Sequence, residues 1–177
     1  MDDQEHPFVT LARDAIRQYS ETGKWQRLPA SPDDPPPGGA FVSLHERPAD
    51  GTGEGRLRGC IGSIQARERN RRTEIARSAV AAAFSDPRFP PLGAGEIDRL
   101  HITVYLLDEP ELFAGIAYLD PARYGVLVEG AGRRGLLLPA IPGITTAERQ
   151  LAIATSKAGL APDDPVDLYR FEATILS

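Results

Sequence analysis

The chain has one cysteine, one methionine, one tryptophan and three histidines in 177 residues. A single thiol cannot close an internal disulfide, which fits a reducing compartment such as the cytoplasm. His6, His45 and His101 fall in no HExxH or Cys/His spacing, so no metal site is readable. No cofactor signature is present either: there is no phosphate-binding loop, dinucleotide fingerprint or Gly-x-Ser-x-Gly elbow. Basic residues are not in excess. Lys and Arg number 20 against 25 Asp and Glu, a net charge of -5, which argues against nucleic acid as the partner. No apolar run approaches the roughly 20 residues that a membrane helix needs. Met1-Asp2-Asp3-Gln4-Glu5 is too acidic to open a secretory signal.

Hydrophobic residues make up 41% of the chain, enough to bury a core as one domain or two small ones. Glycine and proline are plentiful and cluster at 29–39 and 48–55, which marks loops rather than general disorder. Phe8, Ala12, Ala15, Ile16 and Tyr19 recur at helical spacing and predict an amphipathic helix over 5–20. A stiff Pro-rich connector over 29–39 leads into a strand, Ala40 to Glu46. The loop 48–55 makes a hairpin with a returning strand, Arg56 to Ile64. Ile75, Ala79, Val80, Ala83 and Phe84 predict a helix over 70–85 that stops at Pro87, and Leu100 to Leu107 alternates as a strand. Tyr124 to Glu129 is a strand, Gly130 to Gly135 a tight turn, and Leu136 to Ile141 the return. Thr145 and Glu148 match a capping box for a helix reaching Ala158, and Leu168 to Leu176 alternates as a last strand.

The two halves repeat. Each reads strand, hairpin, strand, helix, strand, and Gly55-Arg56-Leu57-Arg58-Gly59 echoes Gly132-Arg133-Arg134-Gly135. The expected fold is therefore α+β: a degenerate ββαβ repeat forming two packed subdomains with mainly antiparallel sheets, helices, and a cleft between them. The whole chain is read as a single domain over 1–177, with one subdomain over about 1–110 and the other over about 120–177.

Cys60 sits in Leu57-Arg58-Gly59-Cys60-Ile61-Gly62. Residues 58 and 60 of a strand share a face, so Arg58 is positioned to favour the thiolate. Gly59 and Gly62 remove side chains and let a ligand or a backbone approach. Cys60 is then a nucleophile, a redox thiol or a ligand contact; the alternative is a buried sulfur that packs as a small hydrophobe. In Asp86-Pro87-Arg88-Phe89-Pro90-Pro91 the prolines hold Arg88 and Phe89 in a rigid loop. Arg88 either clamps a small anionic ligand or caps carbonyls, and Phe89 either meets that ligand or plugs the core. Arg133-Arg134 reads as a solvated turn, and the arginines at 67, 69, 71, 72 and 77 as a charged helix entrance. His45 and His101 lie on strands from which a Cys–His pair with Cys60 is conceivable.

The Leu57–Gly62 and Asp86–Pro91 motifs resemble the AMMECR-one domain family, whose bacterial and archaeal members are called AmmeMemoRadiSam system protein A. The likeness extends to Gly39-Ala40-Phe41-Val42, Arg133 to Pro139, Lys157-Ala158-Gly159-Leu160 and Tyr169-Arg170-Phe171-Glu172. It implies a two-subdomain α+β fold with the Arg-Gly-Cys strand facing the cleft. It also implies association with a Memo-like protein and a radical SAM protein, and carries no defined reaction. Functional weight passes to Cys60 and Arg58 as candidate catalytic residues and to Gly59, Gly62, Arg88 and Phe89 as candidate binding residues. Histidine at 45 and 101 is not expected of the family, and the hairpin over 47–55 is longer than its usual pattern. Two functions stay open: a component with a Cys60-centred active or ligand site, and a non-catalytic adaptor that docks a partner protein. No cofactor is expected of this chain, whose metals would belong to partners.

Overall fold

A computed structural model describes residues 5–47 and 55–177. In chain order the elements are α1 (Pro7–Thr22), β1 (Ala40–Glu46), β2 (Arg56–Ser63), α2 (Arg71–Phe84), β3 (Leu100–Leu107), β4 (Glu111–Leu112), β5 (Gly125–Gly130), β6 (Arg133–Leu137), α3 (Ala147–Lys157), β7 (Asp167–Phe171) and β8 (Ala173–Leu176). Short 3-10 turns occupy Ala94–Arg99 and Ile116–Tyr118. The fold is α+β with two four-stranded sheets, ordered β2-β1-β3-β8 and β4-β7-β5-β6. The chain divides into two compact units, Met1–Leu107 with Thr174–Ser177, and Asp108–Ala173.

In the first unit β1 pairs antiparallel with both β2 and β3. Ala40, Val42 and Leu44 alternate with Ile102, Val104 and Leu106 on one face of the sheet. They pack on Ile75, Ala79 and Ala82 of α2 and on Val9, Ala12 and Ile16 of α1. Burying these side chains is the main source of the unit's stability. Asn70 caps α2 by accepting from Thr73 N at 2.8 Å.

Buried polar groups tie loops to this core. Arg71 donates to Pro36 O at 3.0 Å and to Gly39 O at 2.5 Å, so it holds the Pro-rich connector. Arg13 donates to Ile97 O at 2.8 Å and pairs with Glu5 at 2.6 Å. Glu74, fully buried, accepts from Ser63 Oγ at 2.6 Å and from the Arg67 and Glu68 amides at 2.8 Å, and pairs with Arg77. Burial opposes its charge most strongly, but these donors together hold its pKa below the ordinary value. Arg71 and Arg77 of α2 thus serve internal contacts.

The second unit repeats the plan, with β5 pairing antiparallel to β6 and β7. Val126 and Val128 pack with Leu137, Ala154, Ala158 and Leu160. Glycines explain the echo between the halves. A Cβ on Gly59 would stand 2.1 Å from Ala82 O of α2, and one on Gly135 would stand 2.1 Å from Ala154 O of α3. Each helix lies directly on the glycine of its hairpin's second strand, where no side chain fits.

Several expectations shift. The second hairpin turns at Ala131 and Gly132, both at positive φ, so Arg133 and Arg134 lie in β6 and not in a turn. Arg133 reaches Gly159 O, and Arg134 pairs with Glu129 at 2.7 Å. The strand β6 ends at Leu137, short of Ile141. The cap of α3 is Thr146, one residue after the capping box that the sequence suggested, and it accepts from Arg149 N at 3.3 Å. The last strand is two strands. It breaks at Glu172, with β7 in the second sheet and β8 beside β3 in the first. Period-two alternation continues through such a break and cannot reveal it. The loop expected over 48–55 lies, except for Gly55, outside the described residues.

Candidate functional site

The strand β2 is an edge strand, and Cys60 sits in it opposite Ser43 of β1, which in turn faces Thr103 of β3. Side chains directly opposite one another point to one face of a sheet, with Cβ atoms roughly 4.5–5.5 Å apart. A thiol and two hydroxyls therefore form a row on the face turned away from α2. Ser43 and Thr103 are buried and Cys60 is half-buried. His45 faces His101 on this same face, two residues along β1 from Ser43. Residues one step apart on the diagonal lie roughly 7–8 Å away. That register sets His45 beside the Cys60 row and not directly opposite the thiol.

The repeat supplies an internal control. Gly59 pairs with Leu44 and Gly135 with Val128, which makes Leu136 the counterpart of Cys60. The counterpart row in the second unit is Leu136, Leu127 and Tyr169. The fold accepts large apolar and aromatic groups there, so packing does not call for cysteine, serine and threonine in the first unit.

The loop after α2 closes the open edge of β2 at Cys60. Asp86 accepts the Cys60 N–H at 2.9 Å, and Arg88 donates to Cys60 O at 3.3 Å. The two side chains satisfy the backbone groups that a further strand would otherwise take, which blunts the edge. They are also paired with each other, at 3.0 Å from Arg88 Nε to Asp86 Oδ1 and 2.7 Å from Nη2 to Oδ2. Asp86 is buried, while the Arg88 side chain is 53% exposed. The hydrogen bonds from Arg88 are the largest influence on Asp86. Against the cost of burial, and with help from the Cys60 amide, they hold its carboxyl down to about 2. The Arg88 guanidinium is raised in turn, first by Asp86 and to a smaller extent by the Cys60 thiol. It also lies 5.4 Å from the centre of the Phe89 ring.

Arg58 is placed elsewhere. The β1–β2 register shifts between Leu44, opposite Gly59, and His45, opposite Leu57, so Arg58 is the extra residue of a bulge. Arg58 is 7% exposed, and its guanidinium bonds Glu96 at 2.9 and 3.2 Å, Pro90 O at 2.8 Å and Pro91 O at 3.4 Å. Arg58 is foremost in holding the Glu96 carboxyl below its usual range. The cation beside the thiol is thus Arg88, from the loop, and Arg58 anchors that same loop. Gly59 is occupied by α2, and a Cβ on Gly62 would stand 2.2 Å from Ala40 O and 2.4 Å from Phe41 Cγ. Both glycines are used for contacts within the protein.

The site therefore brings together Cys60, Arg88 and Phe89 and adds Asp86, Ser43 and Thr103, which the residue reading had not named as site residues. A lone hydroxyl inside each of two apolar strands, Phe41-Val42-Ser43-Leu44 and Ile102-Thr103-Val104, is the signal that points to the last two. Chemically the row offers one soft nucleophile, two hydroxyl donors and acceptors, and an exposed guanidinium at the edge. Among the described residues no cluster of three His, Cys, Asp or Glu could hold a metal ion, and no helix is long and apolar enough to cross a membrane.

Comparison with known proteins agrees with this architecture. A Thermotoga maritima protein is 43% identical over 94% of this chain and 95% of its own length. A Clostridium acetobutylicum protein is 37% identical over 97% of this chain, which corresponds to only 36% of that longer polypeptide. The crystal structure of an uncharacterized protein from Pyrococcus horikoshii, PH0010, superposes with a TM-score of 0.83 at 34% identity, covering 95% of this chain and 88% of the other. The AMMECR1 family profile matches residues 9–176, and with these relatives it shows that the chain belongs to the AMMECR1 family.

Proposed function

We propose that the chain is a binding component of a multi-protein system, working in the cytoplasm beside a Memo-like and a radical SAM protein, and that the edge of β2 at Cys60, with Arg88 and Phe89, is its contact surface. The observation that carries this reading is the contrast between equivalent rows. Cys60, Ser43 and Thr103 stand where the second unit has Leu136, Leu127 and Tyr169. Three small hydrogen-bonding groups replace side chains that the fold accepts readily, and Arg88 and Phe89 flank them at the open edge of β2. Binding is favoured over nucleophilic catalysis because the nearby cations are neutralised. Arg58 is paired with Glu96 and Arg88 with Asp86, so neither confers a net positive field on the thiol. The reading of a partnered module is supported by the C. acetobutylicum relative, in which the matching region is part of a polypeptide nearly three times as long.

The test uses the purified Memo-like and radical SAM proteins encoded in the same genome. Titration calorimetry with the native chain is expected to show saturable binding to at least one. Cys60→Leu, which copies the counterpart residue of the second unit, and Arg88→Ala are each expected to weaken it about tenfold or more. Unchanged affinity in both variants overturns the surface assignment. The nucleophile reading regains ground if folded Cys60 reacts with iodoacetamide faster than free cysteine does.

A further inference from the structure

We propose that a groove along α3 in the second unit docks an amphipathic, basic helix of a partner protein. The repeat that relates the two units is incomplete on one point. In the first unit α1 lies along α2. Val9, Ala12 and Ile16 of α1 share a core with Ala79 and Ala83 of α2, and the Tyr19 and Phe84 rings meet with centres 4.9 Å apart. In the second unit, Asp108–Ala173, α3 is the only α-helix. The segment before its hairpin forms just the short turn Ile116–Tyr118. Nothing in that unit stands to α3 as α1 stands to α2.

The glycine contacts align the two helices residue by residue. Gly59 lies under Ala82 O and Gly135 under Ala154 O, so Ala82 corresponds to Ala154. Ala76, Val80 and Phe84 recur every fourth residue and share a face of α2 with Ala79 and Ala83. Ala76, Ala79, Val80 and Ala83 are at most 6% exposed. Their counterparts on α3 are Glu148, Leu151, Ala152 and Thr155, and all four line one groove of ≈ 640 Å³. Glu148 and Ala152 are exposed there, and Leu151 is half-buried. The groove thus follows the stripe of α3 that corresponds to the stripe α1 covers on α2. Half-buried Ile116 and Val166 join Leu151 in giving it an apolar lining. From Glu148 to Ser156 it runs roughly 12 Å along α3, a length that two to three turns of a helix fill. Its only charged lining residues, Glu148 and Asp164, are both acidic, so lysine or arginine on the incoming helix complements them. A second copy of this chain offers no such helix. Its α1 is already packed on α2, and its α3 would bring the same two acids against their own copies.

The experiment titrates the full chain into a fluorescein-labelled peptide of about four helical turns, with leucine at the positions of one face and lysine elsewhere. Anisotropy is expected to saturate at one peptide per chain, and circular dichroism to show the peptide gaining helix. Methyl resonances of Ile116, Leu151 and Val166 are expected to shift, while those of Val42 and Ile75 in the first core stay. The same peptide with glutamate in place of lysine is expected to bind at least about tenfold more weakly. Ala152→Arg and Glu148→Lys, both at exposed positions, are each expected to weaken binding of the lysine peptide about tenfold. Glu21→Lys makes the same charge change on an exposed position of α1 and is expected to leave binding unchanged. The proposal is overturned if both groove variants bind the peptide as the native chain does, if Glu21→Lys weakens binding as much as Glu148→Lys, or if the shifted methyls lie outside the groove. It is also overturned if sedimentation shows a dimer of the native chain that Ala152→Arg dissolves, which makes the occupant a second copy.

Discussion

Asp86→Asn tests the contact that closes the edge of the first sheet beneath Cys60. The carboxylate accepts two backbone amides, those of Cys60 and Arg88, and two guanidinium bonds while itself buried. Its pKa is about 2 in the folded chain against an ordinary 3.8. At about 1.4 kcal/mol per unit, the ionised form contributes roughly 2 kcal/mol of stability. The folded value is the lower one, so this contribution is complete above the ordinary carboxylate range and is lost as pH falls from about 4 to about 2. Urea denaturation of the native chain and of Asp86→Asn should therefore differ by roughly 2 kcal/mol at neutral pH. The gap should close as acid protonates Asp86, because both chains then carry a neutral side chain. All other titrating groups are common to the two proteins and cancel in the difference. A gap that stays constant from neutral pH down to about 2, or one that is absent at neutral pH, refutes the assignment of Asp86 as the charged clamp on Cys60.

Two further outcomes follow from the packing. Gly59→Ala and Gly135→Ala each force a Cβ against a helix carbonyl at 2.1 Å, and each should cost about 3 kcal/mol in a denaturant titration. Gly95→Ala, with nothing within 4 Å of the new carbon, should shift stability by only about 0.5 kcal/mol. Arg58→Met removes the guanidinium from Glu96 and from the Pro90 and Pro91 carbonyls. It should cost about 3 kcal/mol and speed proteolytic cleavage in the loop 86–92, which limited proteolysis with mass spectrometry reads directly.

The repeat was legible because each half carries its own hydrophobic period and its own punctuation. Ala40, Val42 and Leu44 alternate, Ile75, Ala79 and Ala83 recur at helical spacing, and Pro87 and Gly159 stop helices. Glycine was the ambiguous letter. Gly130, Gly132 and Gly135 look alike as turn residues, yet only Gly132 of the three has a positive φ in the turn, and Gly135 is a glycine because α3 lies on it. A residue with no side chain signals either backbone freedom or a close neighbour, and only the neighbour's position separates the two. The division of 167–176 into strands of different sheets was hidden for a related reason: alternation records which face a residue takes, not which sheet it joins.

The sequence by itself determined the family and the α+β class, because those depend on short-range patterns and motif residues. Tertiary structure decided which cation serves which anion. A strand places Arg58 and Cys60 on one face by periodicity, but the bulge at Arg58 turns its guanidinium toward Glu96, 38 residues away. The register between β1, β2 and β3 set Ser43 and Thr103 beside the thiol. Asp86 reaches the Cys60 amide across 26 residues only once α2 has packed on Gly59. Such pairings follow from where packed elements bring their ends, which no local periodicity records.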